Sequence, residues 1–291
     1  MIAFNGLRSP ALATPPDLPG ISLPHAAVLE RIAYVASAEA GQVVMEFPNP
    51  IGRRAVLIGA DSKPGMQADL LVASVVSEGG EDLELLNKLR DWVEVANPNG
   101  SPRSQTITLY GTQIVWAPGR VAIVAQSDRL ESVRRALIEV LYYEAELRDI
   151  ENDLNGRWSL LEADAPLAFE FDEKAVRKRS QLAQRFQQIL GLRARLARVT
   201  PHVLCPHVHP PTLASQVGER LRERTRMPQR LEFLGEQVEV FEGVYESCGQ
   251  RASDFMLSRS SNTLEWVIIV LLGVQLLFSA FEAMATTTTG K

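Results

Sequence analysis

Sixteen consecutive residues, Trp266 to Phe281 (WVIIVLLGVQLLFSAF), carry no charge, and no other stretch restricts the fold so strongly. At about 1.5 Å of rise per residue a helix of this length covers roughly 24 Å, against a bilayer core of about 30 Å. Leu264 on one side and Glu282 or Ala283 on the other complete a span. Trp266 stands at the proximal end, where an indole favours the interface, and Gln275 is the only strongly polar side chain inside. The predicted anchor is carried by Leu264, Trp266, Ile268, Ile269, Leu272, Leu276 and Phe278. A short apolar run also suits a buried helix of a soluble core, but a helix apolar on every face and followed by TTTTGK has no obvious core left to enter. Arg251 and Arg259 precede the run, whereas Glu282 and Lys291 follow it, so the positive-inside rule keeps the body on the cytoplasmic side. The expectation is a single-pass, tail-anchored protein of the bacterial inner membrane, or of the mitochondrial inner membrane facing the matrix.

The remaining chain has the makings of a globular body. Its 291 residues leave room for one large domain or two ordinary ones, and 46% hydrophobic with 22% charged residues excludes a largely disordered chain. Cys205 and Cys248 lie far apart without a CxxC partner, so no disulfide framework is expected, which suits a reducing compartment. Residues 1–24 lack both a long apolar core and a charged leader and read as a loose arm. From Gln42 to about Ala125 the segments QVVMEF, RAVLIG, DLLVASVV, QTITLY, TQIVWAP and RVAIVAQ are short, β-branched and separated by Gly, Pro and Asn, as strands are. A helix over about Glu81 to Val95 interrupts them, with Leu85, Leu86, Leu89 and Val93 as its apolar stripe. Leu29, Ile32, Ala33 and Ala36 share a helical face, so His25 to Ala40 is expected as a further helix stopped by Gly41. Residues 25–126 thus form an α+β domain.

Beyond Ser127 the apolar spacing turns helical, and residues 127–262 read as a helical domain ahead of an anchor over 263–284 and a short tail over 285–291. The first helix is striped by Leu130, Val133, Leu137, Val140, Leu147, Ile150 and Leu154 and closed by Gly156. A second spans about Glu173 to Val199 with Pro201 as its stop, and a third Thr212 to Arg224. A fourth carries Leu231, Leu234, Val238, Phe241, Tyr245, Cys248, Ala252 and Phe255 at the three-four spacing of a coiled coil. That stripe either packs on the preceding helices of its own chain or forms a seam between copies through Leu231, Leu234, Val238, Phe241, Tyr245 and Cys248.

A net charge of −5 hides a segregation. Asp128 to Glu173 holds thirteen acids against five Arg, whereas Lys174 to Arg230 holds thirteen bases against Glu219 and Glu223 alone. Helices of opposite charge can pair within the bundle, guiding assembly more than stabilising it. Alternatively some of Lys174 to Ser180 (KAVRKRS), Arg185, Arg193, Arg195 and Arg198 face outward to a polyanion, either anionic lipid or RNA, although Phe186 is the one ring in the basic helix.

Signatures of chemistry are missing. No GxxxxGK[ST], strand-linked GxGxxG, GxSxG or HExxH occurs. GADSKPG at Gly59 to Gly65 reads as a turn, and His202, Cys205, His207 and His209 lie among four prolines at a spacing unlike paired zinc knuckles. No catalytic residue, cofactor, metal or small-molecule substrate is predicted.

The Leu264-Glu265-Trp266 step, entered from LEFLGEQVEVFEGVYESCGQRASDF and followed by VIIVLLGVQLLF, resembles the C-terminal signature of the family required for meiotic nuclear division, a widespread domain of unknown function. The resemblance covers about the last sixty residues well and the α/β-then-helical layout in outline. It implies a membrane protein that oligomerises, with mitochondrial relatives supporting organellar translation, and it supplies no catalytic residues. The expected function is a non-enzymatic, tail-anchored scaffold partnered by the bilayer and by copies of itself through its stalk; the alternative is a membrane-tethered adaptor for RNA or ribosomes through the basic helix.

Overall fold

The computed structural model describes residues 27–36, 42–58, 68–77, 82–94, 104–169, 176–204 and 212–288, with side chains to Ser279. The class is α+β, as expected: seven strands, then helices, the last of them long and apolar toward its end. The strands are β1 (Val28–Ala36), β2 (Gln42–Glu46), β3 (Arg53–Leu57), β4 (Leu70–Val76), β5 (Gln105–Leu109), β6 (Thr112–Ala117) and β7 (Arg120–Ala125). The helices are α1 (Leu83–Glu94), α2 (Ser127–Asn155), α3 (Trp158–Asp164), α4 (Arg179–Leu204), α5 (Leu213–Arg224) and α6 (Met227–Thr288). Two compact units result: residues 1–153 with 194–235, and residues 154–193 with 236–291. The boundary expected at 126/127 lies inside the first unit, because α2 packs on the sheet instead of starting a separate body.

In the first unit the sheet runs β2-β3-β1-β4-β7-β6-β5, with β4 and β7 parallel and every other pair antiparallel. The parallel pair requires a crossover, and α1 supplies it. Asp82 caps α1 by accepting the Leu85 N–H at 3.1 Å. Leu89, Trp92 and Val93 of α1 bury against Ala73, Val75, Val115, Ala117, Ala122 and Val124 on one face of the sheet. Tight turns set the register elsewhere: Tyr110 and Gly111 both have positive φ, the geometry of the two-residue hairpin joining β5 to β6. Gly119, at φ 79°, follows Pro118 in the turn from β6 to β7.

The opposite face carries α2. Arg134 donates to both oxygens of Glu30 at 2.8 Å, and the Tyr34 hydroxyl donates to the Ile138 carbonyl at 3.0 Å. Tyr34, Phe47, Tyr142 and Tyr143 interlock there, with ring centroids 5.0 Å apart for Tyr34 and Tyr142 and 4.3 Å for Phe47 and Tyr142. Each such pair adds about 0.5–1.5 kcal/mol beyond its buried area.

Two sequence expectations are corrected here. Within the helix expected over His25 to Ala40, Val28–Ala36 forms a strand instead, β1, paired with β3 on one side and β4 on the other. Its Ile32, Ala33 and Val35 are buried whereas Val28 and Leu29 are exposed, so the helical spacing of Leu29, Ile32, Ala33 and Ala36 does not mark one buried face. Pro201 does not stop the second long helix, because α4 continues to Leu204 with Pro201 inside it. Proline forfeits one helical hydrogen bond, but the turn it opens holds buried Val203, and His202 stacks on Tyr143 at 5.4 Å, so tertiary contacts carry that turn. The Glu173 end of that expected helix lies outside the described residues.

The second unit contains α3, a 3-10 turn over Ala165–Ala168, α4 up to Arg193 and α6 from Glu236. Its core gathers Leu161, Leu167, Leu182, Ile189, Leu192, Val238, Phe241 and Cys248. Trp158 packs edge-on against Phe241 with centroids 4.9 Å apart.

Candidate functional site

Helix α6 changes environment along its length. Leu231 and Leu234 are buried in the first unit; Val238, Phe241, Tyr245, Cys248 and Ala252 are buried in the second. From Met256 to Ser279 every residue is exposed. The predicted anchor residues Leu264, Trp266, Ile268, Ile269, Leu272, Leu276 and Phe278 all lie in that exposed stretch, Trp266 at 65% and Phe278 at 71%. An apolar patch of this size, exposed on all sides of one helix, is foreign to a water-soluble surface. Among the described residues α6 is the one helix long and apolar enough to cross a membrane.

The residues proposed as an oligomer seam are already covered within one chain, so the stripe offers no free surface to a second copy. Phe241 is filled against Trp158, and the Cys248 thiol lies 3.7 Å from the Asp164 carbonyl. Burial, and then the Asp164 charge, push the Cys248 thiol up to about 11. Only the thiolate attacks alkylating agents, so iodoacetamide at pH 8 should label Cys248 at least about 100-fold more slowly in the folded protein than in denaturant, read by peptide mass spectrometry. Equal labelling rates would contradict the burial.

The basic half of the helical region is engaged mostly with acids of the same chain. In the second unit Arg185 meets Asp164 and Arg193 meets Glu242. In the first, Arg195 donates to Glu146 at 2.9 Å and to Asp153 at 3.1 Å, while Arg230 binds Glu151 at 2.7 and 2.8 Å and reaches Glu144 at 3.4 Å. Arg148 pairs with the same Glu144 one turn away. Burial and the Arg230 charge bring Arg148 down to about 10. Of the four residues expected at a polyanion, Arg185, Arg193 and Arg195 therefore face carboxylates, and Arg198 is exposed. The pattern agrees with charge pairing between helices.

The sequence reasoning missed Asp164, a carboxylate only 1% exposed, and the shared role of Glu144. Acid counts over Asp128 to Glu173 could flag neither, because they do not say which acids turn inward.

One acid in this network is held uncomfortably. Burial, then Glu146, raise the Asp149 pKa above its ordinary 3.8, with Arg195 opposing. A raised folded pKa means the folded state binds this proton more tightly, so stability from Asp149 is full below the unfolded value and lost as pH rises through the folded one. Asp149→Asn should accordingly raise the melting temperature by about 1–2 °C at pH 7 and change it little below the ordinary carboxyl value, by calorimetry across pH.

The histidine-cysteine connector is divided by what is described. His202 stacks parallel on Tyr143, whereas Cys205, His207 and His209, like Gly59 to Gly65, lie outside the described residues. Among the described residues no group of His, Cys, Asp or Glu could hold a metal ion.

Comparison with known proteins finds no matching family model and no matching characterised protein. Among solved structures the chain is similar to one titled the complete structure of the CorA magnesium transporter from Methanocaldococcus jannaschii. The identity is 11%, the likeness covers 84% of this chain and 80% of that one, and the TM-score is 0.30. At that score the similarity carries no argument about this chain.

Proposed function

We propose that this chain is a non-enzymatic membrane scaffold, an α+β and helical body held on the cytoplasmic face of a membrane by the single span of α6. One observation carries the reading: the run from Trp266 to Ser279 is uncharged and exposed, on the same helix whose preceding stripe is buried. A helix satisfies its own backbone hydrogen bonds, so this segment is suited to hydrocarbon and poorly suited to water. Arg251 and Arg259 on the proximal side support a cytoplasmic body. The scaffold does not rely on a seam at Leu231 to Cys248, which the chain fills by itself. A role as an RNA or ribosome adaptor through Arg185, Arg193 and Arg195 is disfavoured by their carboxylate partners.

Carbonate extraction of membranes carrying the full chain tests anchoring: the protein should stay in the pellet, and its appearance in the supernatant would overturn the proposal. Protease added outside spheroplasts should remove a tag placed after Lys291 and leave the body intact. Digestion of the body with survival of the tag would reverse the orientation.

A further inference from the structure

The start of α4 lies beside the exposed part of α6. The Arg179 guanidinium is 3.4 Å from the Met256 sulfur. Arg177, Lys178 and Arg179 are all exposed there, and Arg259 is three residues beyond Met256. Arg251, on the same helix, directs its Nε–H to the Ala168 carbonyl rather than to an acid. All of these residues belong to the second unit. Within 176–182 and 249–265 the described charges are Arg177, Lys178, Arg179, Arg251 and Arg259 against Asp254 and Glu265, a balance of 5 − 2 = +3.

The distances suit a membrane surface. Helical rise puts Arg259 about 10.5 Å and Met256 about 15 Å from Trp266, where the apolar run begins. The headgroup layer on each side of the hydrocarbon is roughly 5–8 Å deep, and the Debye length in physiological salt is about 8 Å. With the span inserted, Arg259, Lys178 and Arg179 stand just above the headgroups and within electrostatic reach of them. Basic groups this close to an anionic surface draw its charged lipids toward them.

We infer that Lys178, Arg179 and Arg259 form a basic collar that selects anionic phospholipid headgroups around the α6 span. The inference rests on the membrane reading above, and it narrows the polyanion reading of the basic helix to its first residues beside α6 and to lipid. Lipid is favoured over RNA because the collar sits at the base of the apolar run and no aromatic side chain is interleaved in Arg177 to Arg179 for stacking on bases.

Trp266 supplies the readout, since it is exposed at the start of the apolar run. The full chain is reconstituted in phosphatidylcholine vesicles containing ten mole per cent of either brominated phosphatidylglycerol or brominated phosphatidylcholine, and tryptophan quenching is compared. The collar predicts that the phosphatidylglycerol form is enriched about threefold at the helix, that 0.5 M salt abolishes the preference, and that the triple variant Lys178→Gln, Arg179→Gln, Arg259→Gln loses it while quenching by the phosphatidylcholine form persists. Equal quenching by both lipids in the unaltered chain overturns the collar and leaves the anchor standing. No quenching by either overturns the anchor itself. Loss of RNA binding in the triple variant without any lipid preference would assign the surface to nucleic acid instead.

Discussion

Arginine at both Ile269 and Leu272 is expected to move the full chain from the carbonate-resistant pellet to the supernatant. The ten strongly apolar residues Val267 to Phe278, counted without Gly273 and Gln275, each favour insertion by about 0.3–0.6 kcal/mol, for a total of about 3–6 kcal/mol. A centrally placed arginine costs about 2.5–3.5 kcal/mol, so two erase that gain. Both positions are exposed in the folded chain, at 56% for Ile269 and 55% for Leu272, and the body should fold unchanged. The exchange Ile269→Leu with Leu272→Ile should remain in the pellet. If the double arginine variant also remains there, another part of the chain holds the membrane.

Arg185→Met should destabilise the helical unit by about 3 kcal/mol or more, measured by urea unfolding followed by circular dichroism. The Asp164 side chain is 2% exposed and Arg185 is its ion-pair partner, so the substitution leaves a buried carboxylate without its cation. The reverse loss is milder, because the Arg185 side chain is already 26% exposed and can turn to water. Replacing both, as Arg185→Met with Asp164→Leu, should recover most of the deficit, since a buried pair exchanged for apolar side chains is often neutral. Recovery of nothing would show that the two groups do not act as a pair.

Legibility followed the physics of each segment. Strands β2 to β7 could be read because turn residues bracket short β-branched runs, and α2 could be read because its stripe is long and Gly156 ends it. The anchor was the plainest feature, as nothing but hydrocarbon or a deep core accepts sixteen uncharged residues. β1 mimics a helix because Leu29, Ile32, Ala33 and Ala36 fall at helical spacing, while exposed Val28 and Leu29 and the central Glu30-Arg31 break the alternation that marks a strand. Pro201 misled because a local rule yielded to the packing of Val203 and the stacking of His202. Charge segregation between helices is visible and admits pairing within the bundle, but which arginine meets which acid depends on helix rotation, and the fold sets Arg185, Arg193 and Arg195 against Asp164, Glu242, Glu146 and Asp153. The coiled-coil spacing was genuine, yet spacing cannot say whether the partner is another copy or the same chain.

The exposure of α6 past Met256 bears on how the protein responds to load. Between the buried stripe and the apolar run stands Ser258-Arg259-Ser260-Ser261-Asn262-Thr263, five of whose six residues are Ser, Asn or Thr. Each is a helix former about 0.5 kcal/mol worse than alanine, and the Thr263 hydroxyl bonds back to the Arg259 carbonyl, a contact that tends to bend helices. Packing sustains the rod above this stretch and a hydrocarbon surround would sustain it below. The six residues between have neither support, so bending or pulling forces on the body would concentrate there, and compliance between body and bilayer would come from this one turn and a half of helix.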